Sequence, residues 1–148
     1  MPSIQGKHNG RAAIVTLAII DAANYRNHRA SGQQVLKGAV PFQALIDTGA
    51  TKTMIATRVV TRLNLQLVNK LDFVAMGGIS RGNGYLFHVG FYQSPPVSET
   101  ETSNMRVFTR AINGGELSDE NTFDVVPGMD VITSGRLSID KDTFRFTF

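Results

Sequence analysis

The sequence predicts a mostly β domain with one or two short helices. Three observations carry that expectation. Its apolar residues fall in short runs rich in Val, Ile, Thr and Phe. Only two stretches show helical spacing or helix-stop signals. The runs are separated by segments of Gly, Pro, Asn and Ser, the residues that punctuate strands. At 148 residues without an internal repeat, the chain forms one domain spanning 1–148. A chain of this size can bury about 70% of its unfolded surface, enough for a core.

Ala12–Ile20 (AAIVTLAII) is the first expected strand. Lys7 and Arg11 precede it, which loosely mimics a secretory leader, but the run is short and rich in β-branched residues, so it reads as a buried strand. It is also too short to span a membrane. Ala23–Gln33 is polar and reads as a turn or loop. Gln34–Lys37 and Phe42–Ile46 flank Gly38 and Pro41 as two strands around a bend, the second ending on Asp47.

Met54–Leu65 reads as a short helix. Met54, Ile55, Val59 and Leu63 recur at helical spacing, Arg58 and Arg62 take the other side, and Asn64 is placed to stop it. Leu71–Met76 and Tyr85–Tyr92 are strands joined by a turn containing Gly77, Gly78, Gly82 and Gly84, which makes a mobile hairpin. Ser94–Asn104 is a surface loop by its prolines and hydroxyls. Met105–Ile112 reads as a strand, Asn113–Asn121 as a polar loop and Phe123–Val126 as a short strand. Met129–Thr133 is a short helix that Gly135 stops. Leu137–Ile139 and Phe144–Phe148 form a last hairpin, with Phe144, Phe146 and Phe148 alternating against Arg145 and Thr147.

Composition excludes several chemistries. With no cysteine there is neither a disulfide framework nor a thiolate metal site, and a cytoplasmic location is expected. The net charge of +3 is spread over scattered arginines. Its densest spot, Arg26, His28 and Arg29, reads as a solvated loop, so no nucleic-acid partner is expected. His8, His28 and His88 are too far apart in sequence for a zinc pair, and no metal or other cofactor is expected. No nucleophile-elbow string is present, and Gly49–Thr53 (GATKT) lacks phosphate-loop spacing. Asp47-Thr48-Gly49-Ala50-Thr51 faintly resembles an aspartyl-phosphate motif, but the lysine, acidic partners and parallel α/β sheet such a site needs are not evident.

One string concentrates chemistry: Leu45-Ile46-Asp47-Thr48-Gly49-Ala50. An apolar strand runs directly into a carboxylate, and a carboxylate drawn out of water has a raised pKa and calls for a partner. The Thr48 hydroxyl can tie the loop down, and Gly49 permits a turn and close approach by another backbone. Taken alone, Asp-Thr-Gly is also a common solvated turn.

The order of features around the triplet resembles the retropepsin family of aspartic peptidases. The strand Phe42–Ile46 leads to Asp47-Thr48-Gly49-Ala50, and a helix-like segment then ends at Asn64-Leu65. A glycine-rich hairpin, Met76–Gly84 (MGGISRGNG), stands where that family has its flap. Val125-Val126-Pro127-Gly128-Met129-Asp130 resembles its second signature, and Gly135-Arg136-Leu137-Ser138-Ile139 follows as in many members. Pro127 departs from the aliphatic residue more usual before that glycine. The likeness runs from Ala12 to Phe148.

That resemblance implies a single-lobe acid-protease β-barrel with a flap hairpin, and an aspartic endopeptidase that needs no cofactor. Asp47, Thr48 and Gly49 would be catalytic. Ala50, Met76, Gly77, Gly78, Ile79 and Gly128 would bind a peptide or protein substrate. The reaction needs two carboxylates, whereas Asp142-Thr143 continues into Phe144 and Asp130 into Val131, so no second triplet exists. The implied enzyme is therefore a homodimer, with one Asp47 from each copy. Chain ends would form part of the interface, with Phe144–Phe148 the best candidate; the same phenylalanines could instead close the chain's own core. A non-catalytic peptide-binding or structural version of the fold is the alternative.

Overall fold

In the computed structural model, residues 3–8, 12–31, 39–75, 78–94, 96–98, 104–120 and 122–148 are described. The strands are β1 (Ser3–Lys7), β2 (Ala13–Asp21), β3 (Val40–Ile46), β4 (Met54–Ala56), β5 (Leu67–Ala75), β6 (Gly78–Tyr92), β7 (Met105–Val107), β8 (Ile112–Leu117), β9 (Val125–Val126), β10 (Arg136–Ile139) and β11 (Thr143–Thr147). Three short helices interrupt them: α1 (Ala22–Ser31), α2 (Thr57–Leu63) and α3 (Met129–Ile132).

Six strands close a barrel. The order β2-β3-β9-β4-β8-β6 returns to its start because β6 also pairs with β2. β5 extends β6 as a long antiparallel hairpin, from Leu67↔Tyr85 to Ala75↔Gly78. A separate three-stranded sheet has the order β1-β11-β10. Leu17, Ile19, Ile55, Val59, Phe87, Phe91, Val125 and Val131 fill the barrel and are essentially inaccessible to water.

β2 is buried on both faces from Leu17 to Ile20, which is why it reads as an unbroken apolar run. Leu17 and Ile19 face the barrel core, while Ala18 and Ile20 pack in a second cluster with Tyr25, Ala39 and Tyr92. Tyr25 lies on α1, where a loop was expected. The Asp21 carboxylate caps this helix by accepting from the amides of Ala23 and Asn24 at 3.0 and 3.2 Å. His28 and Arg29 sit in its last turn, favourable for the helix dipole. Only Tyr25 of α1 is buried, stacked on His88 with ring centroids 3.9 Å apart. One apolar contact produces no helical stripe, and that is why periodicity missed the helix.

Other boundaries move for similar reasons. Met54–Ala56 is a strand rather than the start of a helix, because its backbone pairs with both β8 and β9. The helix that follows ends as expected at Asn64, which adopts the left-handed conformation at φ 49°, ψ 46°. Gly82 and Gly84 lie within β6 and not in a turn. A Cβ on Gly82 would stand 2.7 Å from the Phe73 ring, and one on Gly84 2.9 Å from Leu71 Cγ. The expected loop 113–121 begins as β8, where Gly114 makes room for Phe87, and Gly115 for Met54 and Phe73. The expected strand 105–112 is divided between β7 and the start of β8. β1 had no counterpart in the sequence reading. The expected strand 34–37 lies outside the described residues.

The last hairpin forms as expected, and its phenylalanines take one of the two roles open to them. Phe144, Phe146 and Phe148 are all buried within the single chain. Phe146 and Phe148 pack on Phe91 at 5.2 and 5.0 Å between centroids, so they close this chain's own core. Among the described residues, no helix is long and apolar enough to cross a membrane.

Candidate active site

β3 delivers the Asp47 loop to one end of the barrel. Ala44 pairs with Val125 of β9, which sets the two segments side by side. Beyond that point the strands give way to loops that hold each other. The Asp47 amide donates to the Pro127 carbonyl at 3.1 Å. The Ala50 carbonyl accepts from the Met129 amide at 2.7 Å, and the Thr51 carbonyl from the Asp130 amide at 3.3 Å. Pro127 needs only its carbonyl here, so the missing donor costs this interaction nothing.

Gly128 is required by crowding. A Cβ there would lie 2.7 Å from the Lys52 backbone and 2.8 Å from the Ala50 carbonyl oxygen. Its φ of −100° is ordinary extended backbone, so closeness and not conformation selects glycine. Gly128 thus sits behind the Asp47 loop, supporting it from beneath.

A buried polar knot completes the support. Thr53 is wholly inaccessible to water. Its hydroxyl donates to Asp130 Oδ1 at 2.7 Å and accepts from the Gly128 amide at 3.1 Å. The Thr53 amide donates to Asp130 Oδ2 at 3.0 Å. Every polar group of the knot is paired, as burial demands. The sequence offered little to find it by, since Thr53 sits in no recognisable motif and its partner is 77 residues away.

Asp47 itself is exposed in the single chain. Desolvation was expected from its place after an apolar strand, but this chain's residues do not supply it. One carboxylate oxygen, Oδ1, accepts from the Gly49 amide at 2.9 Å. A Cβ on Gly49 would stand 3.2 Å from that same oxygen, so glycine keeps the loop tight around the carboxylate.

Asp47, Gly49 and Ala50 open on a cleft of about 710 Å³. Leu45, Met54 and Val126 of the barrel and Phe73 and Ser80 of the β5–β6 hairpin contribute to its walls. The hairpin therefore shares the cleft with the carboxylate. Thr48 turns elsewhere, into a separate depression shared with Met129, Ile132, Leu137 and Ile139. Of the expected hairpin contacts, Gly78 has φ +118°, which favours glycine, and Ile79 is 79% exposed. Met76 and Gly77 lie outside the described residues. Among the described residues, no three His, Asp or Glu side chains gather closely enough to hold a metal.

The root of the hairpin carries a second polar chain, and its Glu116 also lines the cleft. Lys70 donates to Asn83, which donates to Glu116 Oε2 at 3.0 Å, and the Tyr85 hydroxyl donates to the same oxygen at 3.1 Å. Burial, and then the Glu116 carboxylate, push the Tyr85 phenol above its usual range. These bonds tie β5 and β6 to barrel strand β8.

No family model matches the sequence, and comparison with curated proteins finds no match. Solved structures do match. The crystal structure of a retropepsin-like aspartic protease from Rickettsia conorii superposes over all of this chain and 95% of its own length, with a TM-score of 0.52 at 14% identity. The retroviral protease-like domain of Ddi1 from Leishmania major matches over 87% of this chain and 82% of its own, with a TM-score of 0.41 at 14% identity. The chain has a retropepsin-like fold: a single-lobe, mostly β barrel.

Proposed function

We propose that the chain is an aspartic endopeptidase that acts as a homodimer, with one Asp47 from each copy flanking a single water. The observation that carries this reading is the position of Asp47. Its carboxylate is held by the Gly49 amide and lines a cleft whose walls include residues of the β5–β6 hairpin, in a retropepsin-like fold. The exposure of Asp47 in one chain supports the dimer, because a second copy is what would enclose it.

Two carboxylates about 3 Å apart cannot both ionise, so the pair keeps one proton. The ionised Asp47 takes a proton from the water as its oxygen attacks the peptide carbonyl carbon. The protonated Asp47 hydrogen-bonds the developing oxyanion. Collapse of the tetrahedral intermediate breaks the C–N bond, and the leaving nitrogen takes up a proton. The Gly49 amide fixes the carboxylate's orientation, and the knot of Thr53, Asp130 and Gly128 fixes the loop. Ala50 in the cleft and Gly78 and Ile79 of the hairpin are the substrate contacts, the hairpin closing as a flap. No cofactor takes part.

The test is digestion of a peptide library by the wild type beside Asp47→Asn. Because Asp47 is exposed, the substitution is expected to leave the fold intact while cleavage is lost. Wild-type cleavage that persists in a pure Asp47→Asn sample would rule this mechanism out. A folded wild type that binds peptides without cutting them would favour a non-catalytic binding domain.

A further inference from the structure

Three charged residues line the cleft around Asp47: Asp47 itself, Lys52 and Glu116. Two of them are already engaged. Asp47 holds the Gly49 amide and supplies the proposed chemistry. Glu116 accepts through Oε2 from Asn83 and Tyr85 at the hairpin root. On the hairpin itself, Arg81 and Asp72 pair with each other at 3.7 Å. Lys52 is the exception. Among the described residues its ammonium forms neither an ion pair nor a hydrogen bond.

The backbone that carries Lys52 is fixed on both sides. Before it, the Thr51 carbonyl accepts from the Asp130 amide at 3.3 Å. After it, Thr53 donates twice to the Asp130 carboxylate. Gly128 packs against the Lys52 carbonyl group, where a Cβ would stand only 2.7 Å away. Thr53 is sunk in the knot, while Lys52 beside it is half-exposed and lines the cleft. The knot that supports the Asp47 loop therefore also sets where this charge begins, and only one flexible side chain decides where it ends.

We propose that Lys52 selects peptides that carry an acidic side chain, Asp or Glu, in the stretch that fills the cleft. This rests on the peptidase reading above and names the class of substrate. The other charges of the cleft, Asp47 and Glu116, are both negative, so without Lys52 an acidic peptide would meet only repulsion. With it, the peptide carboxylate meets a cation that the chain leaves unpaired. A peptide in the cleft displaces water from around the pair, which strengthens it relative to one on open surface. The same charge works against a Lys or Arg at that place in the peptide, so selection comes from repulsion as well as attraction.

Binding to Asp47→Asn, which is expected not to cut, tests the proposal by fluorescence anisotropy. The probe is a peptide library in which each position in turn carries Glu, Gln or Lys. At one position or more, Glu is expected to bind about fivefold more tightly than Gln, and Lys more weakly than either. About 1 M salt, which screens charges beyond about 3 Å, is expected to remove most of the difference. Adding Lys52→Met, which keeps the stem and removes the charge, is expected to abolish the preference, and adding Lys52→Glu to reverse it toward Lys. Circular dichroism checks that each variant folds. With Lys52 intact, wild-type kcat/KM is expected to rank the same peptides in the same order. A library with no position that favours Glu, or a preference that survives Lys52→Met, overturns the proposal even if the wild type cleaves peptides. A preference that depends on Lys52, in a protein whose wild type cleaves nothing, supports the charge selection and counts against the peptidase.

Discussion

Thr53 and Asp130 are joined by two hydrogen bonds, from the Thr53 hydroxyl to Oδ1 and from the Thr53 amide to Oδ2. The same hydroxyl accepts from Gly128. The pair links the end of the Asp47 loop to the first turn of α3. It is the main side-chain connection beneath a loop otherwise held by backbone bonds.

Thr53→Val keeps the shape of the side chain and removes the hydroxyl. It would leave the Gly128 amide and one Asp130 oxygen without their partner at a buried site. The expected cost is about 1–3 kcal/mol, the usual penalty for an unsatisfied buried polar group. Urea denaturation measures it. A loss well below 0.5 kcal/mol would show that water or a shifted side chain replaces the hydroxyl.

Phe146→Ala distinguishes a core role from an interface role for β11. Phe146 is 2% exposed and touches both Phe91 and Phe148. Emptying that space is expected to cost about 3–5 kcal/mol of folding stability. Met129→Ala, at a half-exposed position in the Thr48 depression, is expected to leave the thermal stability nearly unchanged. Equal effects of the two substitutions on monomer stability would contradict this division of labour.

Tyr85 is held protonated by burial and by its hydrogen bond to Glu116. Its pKa in the folded state lies above the usual 10.0, so the neutral phenol stabilises the fold at neutral pH. That contribution is complete below pH 10 and is lost as the pH rises through the folded-state value. Spectrophotometric titration is expected to show one of the three tyrosines ionising late, and Tyr85→Phe to remove that late step. Glu116→Gln is expected to lower it toward the usual range, because the carboxylate charge is gone. A late step that persists unchanged in Tyr85→Phe would contradict this assignment.

The sequence made some of this legible because the signals were local. The Asp47 string, the alternating phenylalanines, the Asn64 helix stop and the short helix before Gly135 each depend on neighbours a few residues away. The rest depended on distant ones. Gly82, Gly114 and Gly115 look like turn residues until Phe73, Phe87 and Met54 are seen lying across them. α1 has no apolar stripe, because a single tyrosine anchors it. Met54 and Ile55 fit a helical period, but pairing with β8 and β9 overrides that preference. The support of the candidate site was the least legible part. Gly128 stood out within its motif, whereas the Thr53–Asp130 knot that holds it did not.

The central claim is that one active site takes one Asp47 from each of two chains. Mixing wild-type chains with Asp47→Asn chains, at fixed total concentration and after exchange of subunits, tests it directly. If both carboxylates are needed, only wild-type pairs cut, and peptide cleavage follows the square of the wild-type fraction. An equal mixture then keeps about one quarter of the activity, the share of wild-type pairs in random two-fold association. Cleavage that instead falls in simple proportion, to about one half, would mean that each chain works with its own Asp47 alone, and would contradict the shared site.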